Sequence, residues 1–332
     1  MRAIIPVAGA GKNLRPHTYT QPKSLIPVAG KPILGFIIDQ LLEVGIDDFT
    51  FIIGYLGDKI KEYVEKEYPK IKSTYVVQNS REGLGHAISL TKKSIPVDSE
   101  VLIILGDTII DTDIKKFVDA PTSVIGVKRA TDPRMFGVAE KDEKDNILKV
   151  VEKPTIPKSN MAIVGIYKIK EFGELLAVLE KNVKTGYKTT QEYTLTDGLQ
   201  GLIEKGIHVK GLKVENWYDC GQKDVLMQIN ALLLKRNRPK LPENLPHFEN
   251  TIIVEPVYIG KNTVIKNSII GPNVSIGENT QISNSIVHDS IIGSFSKIRE
   301  IVMYNSIIGS DSALKGSEQK LNLGDNTELD LS

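Results

Sequence analysis

From Ile259 to Gly309 an aliphatic residue returns every five or six positions: Ile259-Gly-Lys-Asn-Thr-Val, then Ile265, Ile270-Gly, Ile276-Gly-Glu-Asn-Thr, Ile282, Val287, Ile292-Gly, Ile298 and Ile308-Gly. Repetition at a hexapeptide period is the mark of a parallel β-helix, in which each aliphatic side chain stacks on the one a coil above. If a coil takes three hexapeptides, the span holds about three or four coils. The period slips from six to five at Asn267-Ser-Ile-Ile-Gly and Asn305-Ser-Ile-Ile-Gly, which implies irregular corners. We place this domain at 251–316, with a polar tail over 317–332 that caps the solenoid or frays. Flat aliphatic faces and an exposed edge invite self-association, so a homo-oligomer built through the β-helix is expected.

The longer N-terminal part, 1–238, has a different grammar. Arg2–Val7, Phe49–Ile53, Thr74–Val77 and Val101–Leu105 read as strands, and Ile33–Val44, Asp58–Glu67 and Gly83–Lys93 as the helices between them. Such alternation gives βαβ units and a mostly parallel, twisted sheet covered by helices on both faces. Ligands in these sheets sit at the carboxyl ends of the strands. Over 123–167 the strands Ser123–Arg129, Phe136–Glu140, Ile147–Glu152 and Ile163–Tyr167 follow one another without long helices, as an added layer closing over the pocket. Glu171–Glu180 and Glu192–Ile203 return to helical spacing, followed by a strand near His208–Leu212 and a last helix over Gln222–Lys235. Asn237, Pro239, Pro242 and Pro246 then break the helix, so 239–250 is a linker.

Unusual residues gather at the strand ends. After the first strand, Ala8-Gly9-Ala10-Gly11-Lys12 brings two glycines and a cation to where backbone amides can converge on an anion. Gly-x-Gly alone is equally an ordinary strand-to-helix turn. Asp107 follows an apolar strand and a glycine, and Asp219 follows Trp217-Tyr218. Two carboxylates converging from distant positions suit a Mg²⁺ ion that bridges phosphates, while each alone also fits a turn cap. With 42 basic and 41 acidic residues the net charge is +1, which argues against nucleic acid as the main partner. The longest apolar runs are strand-sized, so no membrane span is expected, and the opening residues read directly as a strand, so secretion by a signal peptide is not expected. The single cysteine, Cys220, allows no internal disulfide and fits a reducing cytoplasm; with no histidine near it in sequence it is a poor nucleophile.

Taken in order, Pro6-Val-Ala-Gly-Ala-Gly, Leu14-Arg-Pro, Pro22-Lys23, Gly30-Lys-Pro, Gln78 with Gly83-Leu-Gly-His-Ala, Leu105-Gly-Asp107, Glu152-Lys-Pro154, Asn160 with Gly165-Ile-Tyr167, Glu192 with Leu195-Thr-Asp197, and Trp217-Tyr-Asp219 resemble the sugar-1-phosphate nucleotidyltransferases, the nucleoside-diphosphate-sugar pyrophosphorylases. The likeness runs from residue 1 to about 235, and the repeat resembles the left-handed β-helix that several members append. It implies a Rossmann-like α/β domain and an Mg²⁺-dependent enzyme joining a nucleoside triphosphate to a sugar 1-phosphate with loss of pyrophosphate. It also implies roles. Ala8, Gly9 and Gly11 would hold the nucleotide, with Gln78 and Gly83 at the base. Lys12 and Arg15 would meet the β and γ phosphates, and Lys23 the α-phosphate. Asp107 and Asp219 would hold Mg²⁺, Lys153 the sugar phosphate, and Gly137, Glu152, Asn160, Tyr167 and Glu192 the sugar.

The Gln78 amide, one acceptor and one donor, matches N3–H and O4 of uracil or thymine. The surrounding motif is similar to uridylyl- and thymidylyl-transferring members, so UTP or dTTP and glucose 1-phosphate are favoured over a mannose-1-phosphate guanylyltransferase. His86 reads as a packing or capping residue. One departure stands out: where the family reads Gly-x-Gly-Thr-Arg-Leu with a catalytic arginine, this chain has Gly11-Lys12-Asn13-Leu14. Asparagine carries no charge, so either Lys12 or Arg15 takes over or the chain is a regulatory subunit that binds nucleotide-sugar. An acyltransferase role for the repeat domain is disfavoured by its few coils and lone His288.

Overall fold

The computed structural model describes residues 1–239 and 248–316. They form two compact units, Met1–Ile26 with Lys31–Leu226, and Pro27–Gly30 with Met227 and the described residues beyond it. Most of the expected linker, 240–247, and the expected tail, 317–332, lie outside the described residues.

The first unit is built on four parallel strands, β1 (Arg2–Pro6), β2 (Asp48–Ile53), β3 (Lys72–Val77) and β4 (Val101–Ile104), in the order β3-β2-β1-β4. Their β-branched runs bury both faces. Ile4 and Ile5 are each 0% exposed although alternation sends them to opposite sides. Helices α1 (Ile33–Glu43) and α2 (Gly57–Glu67) follow β1 and β2 in the chain, and on the Ile4 side the sheet packs with Ile88 of α3 (Leu84–Ser89), with Phe172, Leu175 and Leu179 of α4 (Phe172–Thr185), and with Leu195 and Leu199 of α5 (Leu195–Glu204). The chain leaves β1 on one side to reach β2 and returns on the other at β4. The carboxyl ends of β1 and β4 therefore flank a switch point, the place where such sheets open a crevice.

The strands over 123–167 are not an added layer but an in-plane extension of this sheet, which corrects the sequence expectation. β9 (Met161–Ile169) runs antiparallel to β4 through Ile166↔Ile104 and Tyr167↔Ile103. It also pairs with β6 (Ser123–Arg129) and, at Ala162, with β7 (Gly137–Lys141), beyond which lies β8 (Ile147–Glu152); β10 (Val209–Lys213) closes the far side of β6. The edge of β4 presents unpaired backbone groups, and a neighbouring strand satisfies them better than a covering layer would. A two-stranded ribbon of β5 (Thr108–Asp111) and β11 (Asn216–Asp219) stands apart from the sheet, pairing Asp219 with Thr108. The helix expected from Glu192 starts at Leu195, because Thr194 Oγ1 accepts from the Asp197 amide at 3.0 Å and caps it; 192–194 stay extended.

The second unit is a parallel β-helix. One wall stacks Phe248–Glu249, Val264–Lys266, Gln281–Ser283, Lys297–Arg299 and Ala313–Lys315, which is four turns between the first strand and the last. Ile265, Ile282 and Ile298 lie in register inside it, each at most 1% exposed. Asparagines occupy corners at positive φ, as at Asn250, Asn267 and Asn284, and bond side chain to side chain up the stack at 3.2 and 3.1 Å. Asparagine takes that conformation at little cost and completes a ladder there. The last helix, α6 (Lys223–Asn237), carries the chain from the first unit into the second. Its Asn230 is fully buried, accepting from the Ala29 amide (2.8 Å) and Ser275 Oγ (2.6 Å) and donating to the Asn273 carbonyl (3.0 Å).

Candidate active site

The loop after β1 has the properties of an anion cradle. Among the described residues, the amides of Ala8, Gly9, Ala10 and Gly11 donate to no protein acceptor. Gly11 sits at φ +59, and a Cβ on it would stand 2.8 Å from Thr18 Cγ2 and 3.1 Å from Lys23 Cβ, so both the turn and the close approach require glycine. Thr18 Oγ1 and the Leu14 amide both donate to the Gly11 carbonyl, at 2.7 and 3.0 Å. Gly54, at the end of β2, lies against Ala8, and the Gln78 backbone N–H donates to the Ile53 carbonyl at 2.8 Å. Gln78, Ala8 and Gly106 thus line up across the carboxyl ends of β3, β1 and β4. Gly106 approaches β1 so closely that a Cβ would meet Val7 Cγ1 at 2.2 Å.

Lys23 joins this row to the acidic pair. Its Nζ donates to Asp107 Oδ2 at 2.5 Å and lies 3.8 Å from Asp219 Oδ1, which also accepts from the Gly221 amide at 3.0 Å. The Cys220 amide donates to the Asp107 carbonyl at 3.0 Å, tying the two carboxylate-bearing segments together. Desolvation works against the charged Lys23, yet Asp107 and then Asp219 outweigh it and hold its pKa above the ordinary lysine value. Desolvation raises the Asp219 carboxyl above its ordinary value; Lys23 opposes the rise and Asp107 adds to it. The Cys220 thiol is pushed up to about 12, first by burial and then by Asp107, which removes it as a nucleophile.

The acidic pair lines a cleft of about 280 Å³. Gly137, Glu152, Lys153, Tyr167 and Glu192 line the same cleft. Glu152 Oε2 accepts from Thr196 Oγ1 at 2.5 Å, and a Cβ on Gly137 would stand 3.1 Å from that hydroxyl and 3.2 Å from that carboxylate. Burial and then Glu152 push the Tyr167 phenol up, so it remains a neutral donor. Lys153, at φ +42, is exposed at the rim.

The residues expected in the site divide into four sets. Lys23, Asp107, Asp219, Gly137, Glu152, Lys153, Tyr167 and Glu192 share the cleft; Ala8, Gly9, Gly11 and Gln78 lie along the neighbouring strand ends, and Gly83 stands at the start of α3 against Tyr193. Lys12 and Arg15 are exposed on the loop, and the Arg15 guanidinium sits over the Tyr19 ring at 4.9 Å. Asn160 is exposed and outside the cleft wall; its backbone carbonyl accepts from Ala130. Gln78 also differs in detail, since its Nε2 is engaged by the Gly83 carbonyl at 3.1 Å and His86 Nδ1 at 3.2 Å.

No group of three acidic, histidine or cysteine side chains gathers among the described residues. Two aspartates on one ammonium nevertheless present hard, anionic oxygens on a single wall, a donor set that fits Mg²⁺ when substrate phosphates and water complete the shell.

The model of the nucleotidyl transferase family matches residues 2–236. The chain belongs to that family. It is 37% identical over 266 residues to the bifunctional protein GlmU of Methanocaldococcus jannaschii, an alignment covering 80% of the chain and 61% of the relative. The chain therefore spans about three fifths of that protein's length. To the glucose-1-phosphate thymidylyltransferase of Streptomyces griseus it is 28% identical over 289 residues, 80% of each chain. In fold it matches a UDP-glucose pyrophosphorylase solved with UDP-glucose, with a TM-score of 0.63 at 21% identity, over 71% of this chain and 98% of that one. No helix among the described residues is long and apolar enough to cross a membrane.

Among the residues lining the cleft, sequence reasoning gave no role to Thr196, Tyr193, Met135, Phe136 and Trp217. Phe136 and Trp217 meet edge to face, ring centroids 4.6 Å apart, and wall the cleft on one side. For Trp217 a sequence signal was present: it is the chain's single tryptophan and lies two residues from Asp219.

Proposed function

We propose that this chain transfers a nucleotidyl group from a nucleoside triphosphate, UTP or dTTP, to a sugar 1-phosphate, glucose 1-phosphate foremost, releasing pyrophosphate. The observation that carries the reading is Lys23 held between Asp107 and Asp219, where the row of unpaired loop amides meets the cleft. In-line attack of the sugar-phosphate oxygen on the α-phosphorus needs positioning and charge neutralisation more than covalent help. Ala8 to Gly11 would bind the triphosphate through backbone amides, and Lys12 and Arg15 would meet the departing β and γ phosphates. Lys23 would stabilise charge growing on the α-phosphate oxygens. Mg²⁺, held by Asp107 and Asp219, would neutralise substrate phosphates. Lys153 would pair with the sugar phosphate, while Glu152, Tyr167 and Glu192 meet hydroxyls. A pyrophosphate-release assay with protein, Mg²⁺, each triphosphate and a panel of sugar phosphates tests this; no release with any pair sinks it.

Asn13 favours a second reading, a cytoplasmic subunit that binds nucleotide-sugar without turnover, because it carries no charge and one of the two alternative cations, Arg15, rests on Tyr19. Tight product binding by a catalytically silent protein would support it. For assembly we propose a homo-oligomer through the β-helix. Ile252, Ile269, Ile286 and Val302 stack in register along one wall and are 60%, 37%, 40% and 71% exposed, an apolar stripe that a second copy would cover. A monomeric mass in sedimentation would refute it.

A further inference from the structure

Gln78 is only 7% exposed, and its side-chain amide touches two groups of unlike chemistry, the Gly83 carbonyl and a ring nitrogen of His86. A peptide carbonyl only accepts hydrogen bonds. The amide atom 3.1 Å from it is therefore the nitrogen, whichever way the two ends of a glutamine are assigned. The Gly83 carbonyl has little freedom to turn away. Gly83 lies at φ +106, and a Cβ there would stand 2.5 Å from the Tyr193 carbonyl, so the backbone is held in a conformation reserved for glycine.

One hydrogen of Nε2 thus goes to Gly83 and the other points to His86 Nδ1 at 3.2 Å. For that contact to be a hydrogen bond, Nδ1 must accept, which requires a neutral imidazole with its proton on Nε2. Both amide hydrogens are then used inside the protein. Oε1 has no protein partner among the described residues, and it is the only part of the amide left to meet a ligand at the end of β3.

We propose that His86 is a positioning residue for base selection: together with Gly83 it fixes the Gln78 amide so that the site presents an acceptor alone, which admits bases carrying an imino N–H and disfavours those whose ring nitrogen is itself an acceptor. Uracil, thymine and guanine offer that N–H; cytosine and adenine do not. A free glutamine would turn its amide by half a rotation and serve either class. This inference rests on the nucleotidyl-transfer reading for the nature of the ligand and goes beyond it in assigning the selection to His86. It also revises the expectation that Gln78 offers the base a donor and an acceptor together.

The experiment compares wild type with His86→Asn, which keeps an acceptor at the position, and His86→Leu, which keeps bulk without one. Equilibrium binding of UTP and of CTP, each with Mg²⁺, is measured alongside pyrophosphate release, so that base preference is read whether or not turnover occurs. Wild type should prefer UTP. The preference should shrink by about tenfold in His86→Leu and stay within about twofold of wild type in His86→Asn, the scale of one partly buried hydrogen bond. Nitrogen-15 NMR of the wild-type ring near neutral pH should show a bare Nδ1 and a protonated Nε2. A protonated Nδ1, or a UTP preference unchanged in His86→Leu, overturns the proposal. Absence of pyrophosphate release with the binding preference intact overturns only the catalytic reading. If His86→Leu fails to fold, the ring measurement on wild type still decides.

Discussion

Replacing Lys23 by methionine keeps most of the side chain's length and removes its charge. Lys23 contacts both candidate metal carboxylates, and on the proposed mechanism its ammonium faces the α-phosphate in the transition state. Removing one preorganised donor aimed at developing charge lowers kcat by about 100- to 1,000-fold, or roughly 3–4 kcal/mol. The stability change should be much smaller. The side chain of Asp107 is 37% exposed and that of Asp219 46% exposed, so solvent screening limits the pair to about 1 kcal/mol or less. For a unit of this size that is a shift of about 2–4 °C in Tm. Pyrophosphate release followed under saturating substrates, with a thermal melt on the same sample, separates the two effects. Lys23→Met retaining more than about a tenth of wild-type kcat would refute the role assigned to Lys23. A melt lowered by far more than a few degrees would refute the estimate of its structural weight.

Gly137→Val would place methyl groups against Thr196 Oγ1 and Glu152 Oε2, so the KM for sugar 1-phosphate should rise at least about tenfold with little change for the triphosphate; equal changes in both would show that the cleft does not hold the sugar. Asn13→Arg restores a cation to the first loop and should raise kcat by about tenfold or more, whereas an unchanged rate would mean that Lys12 or Arg15 already fills the role. Burial, and then Lys223, lower the His17 pKa from 6.5, so the unfolded chain binds this proton more tightly than the folded one. The stability it contributes is complete above the unfolded value and is lost as pH falls from there through the folded value. Urea midpoints of His17→Asn should therefore decline less in acid than those of wild type; parallel declines would rule this out.

The parts of the fold that were legible in sequence are those carried by local periodicity. Ile4, Ile52 and Ile103 sit in runs whose only stable use is a doubly covered parallel strand, and Ile265, Ile282 and Ile298 repeat at the pitch of a solenoid. The ribbon of β5 and β11 was not legible. Each strand has four residues with little alternation, and each is a strand only because the other lies beside it. The start of α5 shifted to Leu195 because a single hydroxyl, Thr194 Oγ1, decides the cap, and the extended residues left before it became wall of the cleft.

The candidate site divides along the same line. The glycines of the first loop, Lys23, Asp107 and Asp219 announced themselves by residue type at strand ends, where the backbone direction of a parallel sheet already gathers ligand contacts. That Lys23 lies between both aspartates, that Asn160 stays outside the cleft wall, and that the Gln78 nitrogen is held by Gly83 and His86 were decided only by tertiary structure. The reason is one of range. A pattern with a fixed period constrains each residue through its near neighbours, whereas the distance between Lys23 and Asp219 is the sum of every turn and packing contact in between. Hydrogen-bond direction is narrower still, because a rotation of one amide exchanges donor for acceptor without altering the sequence at all.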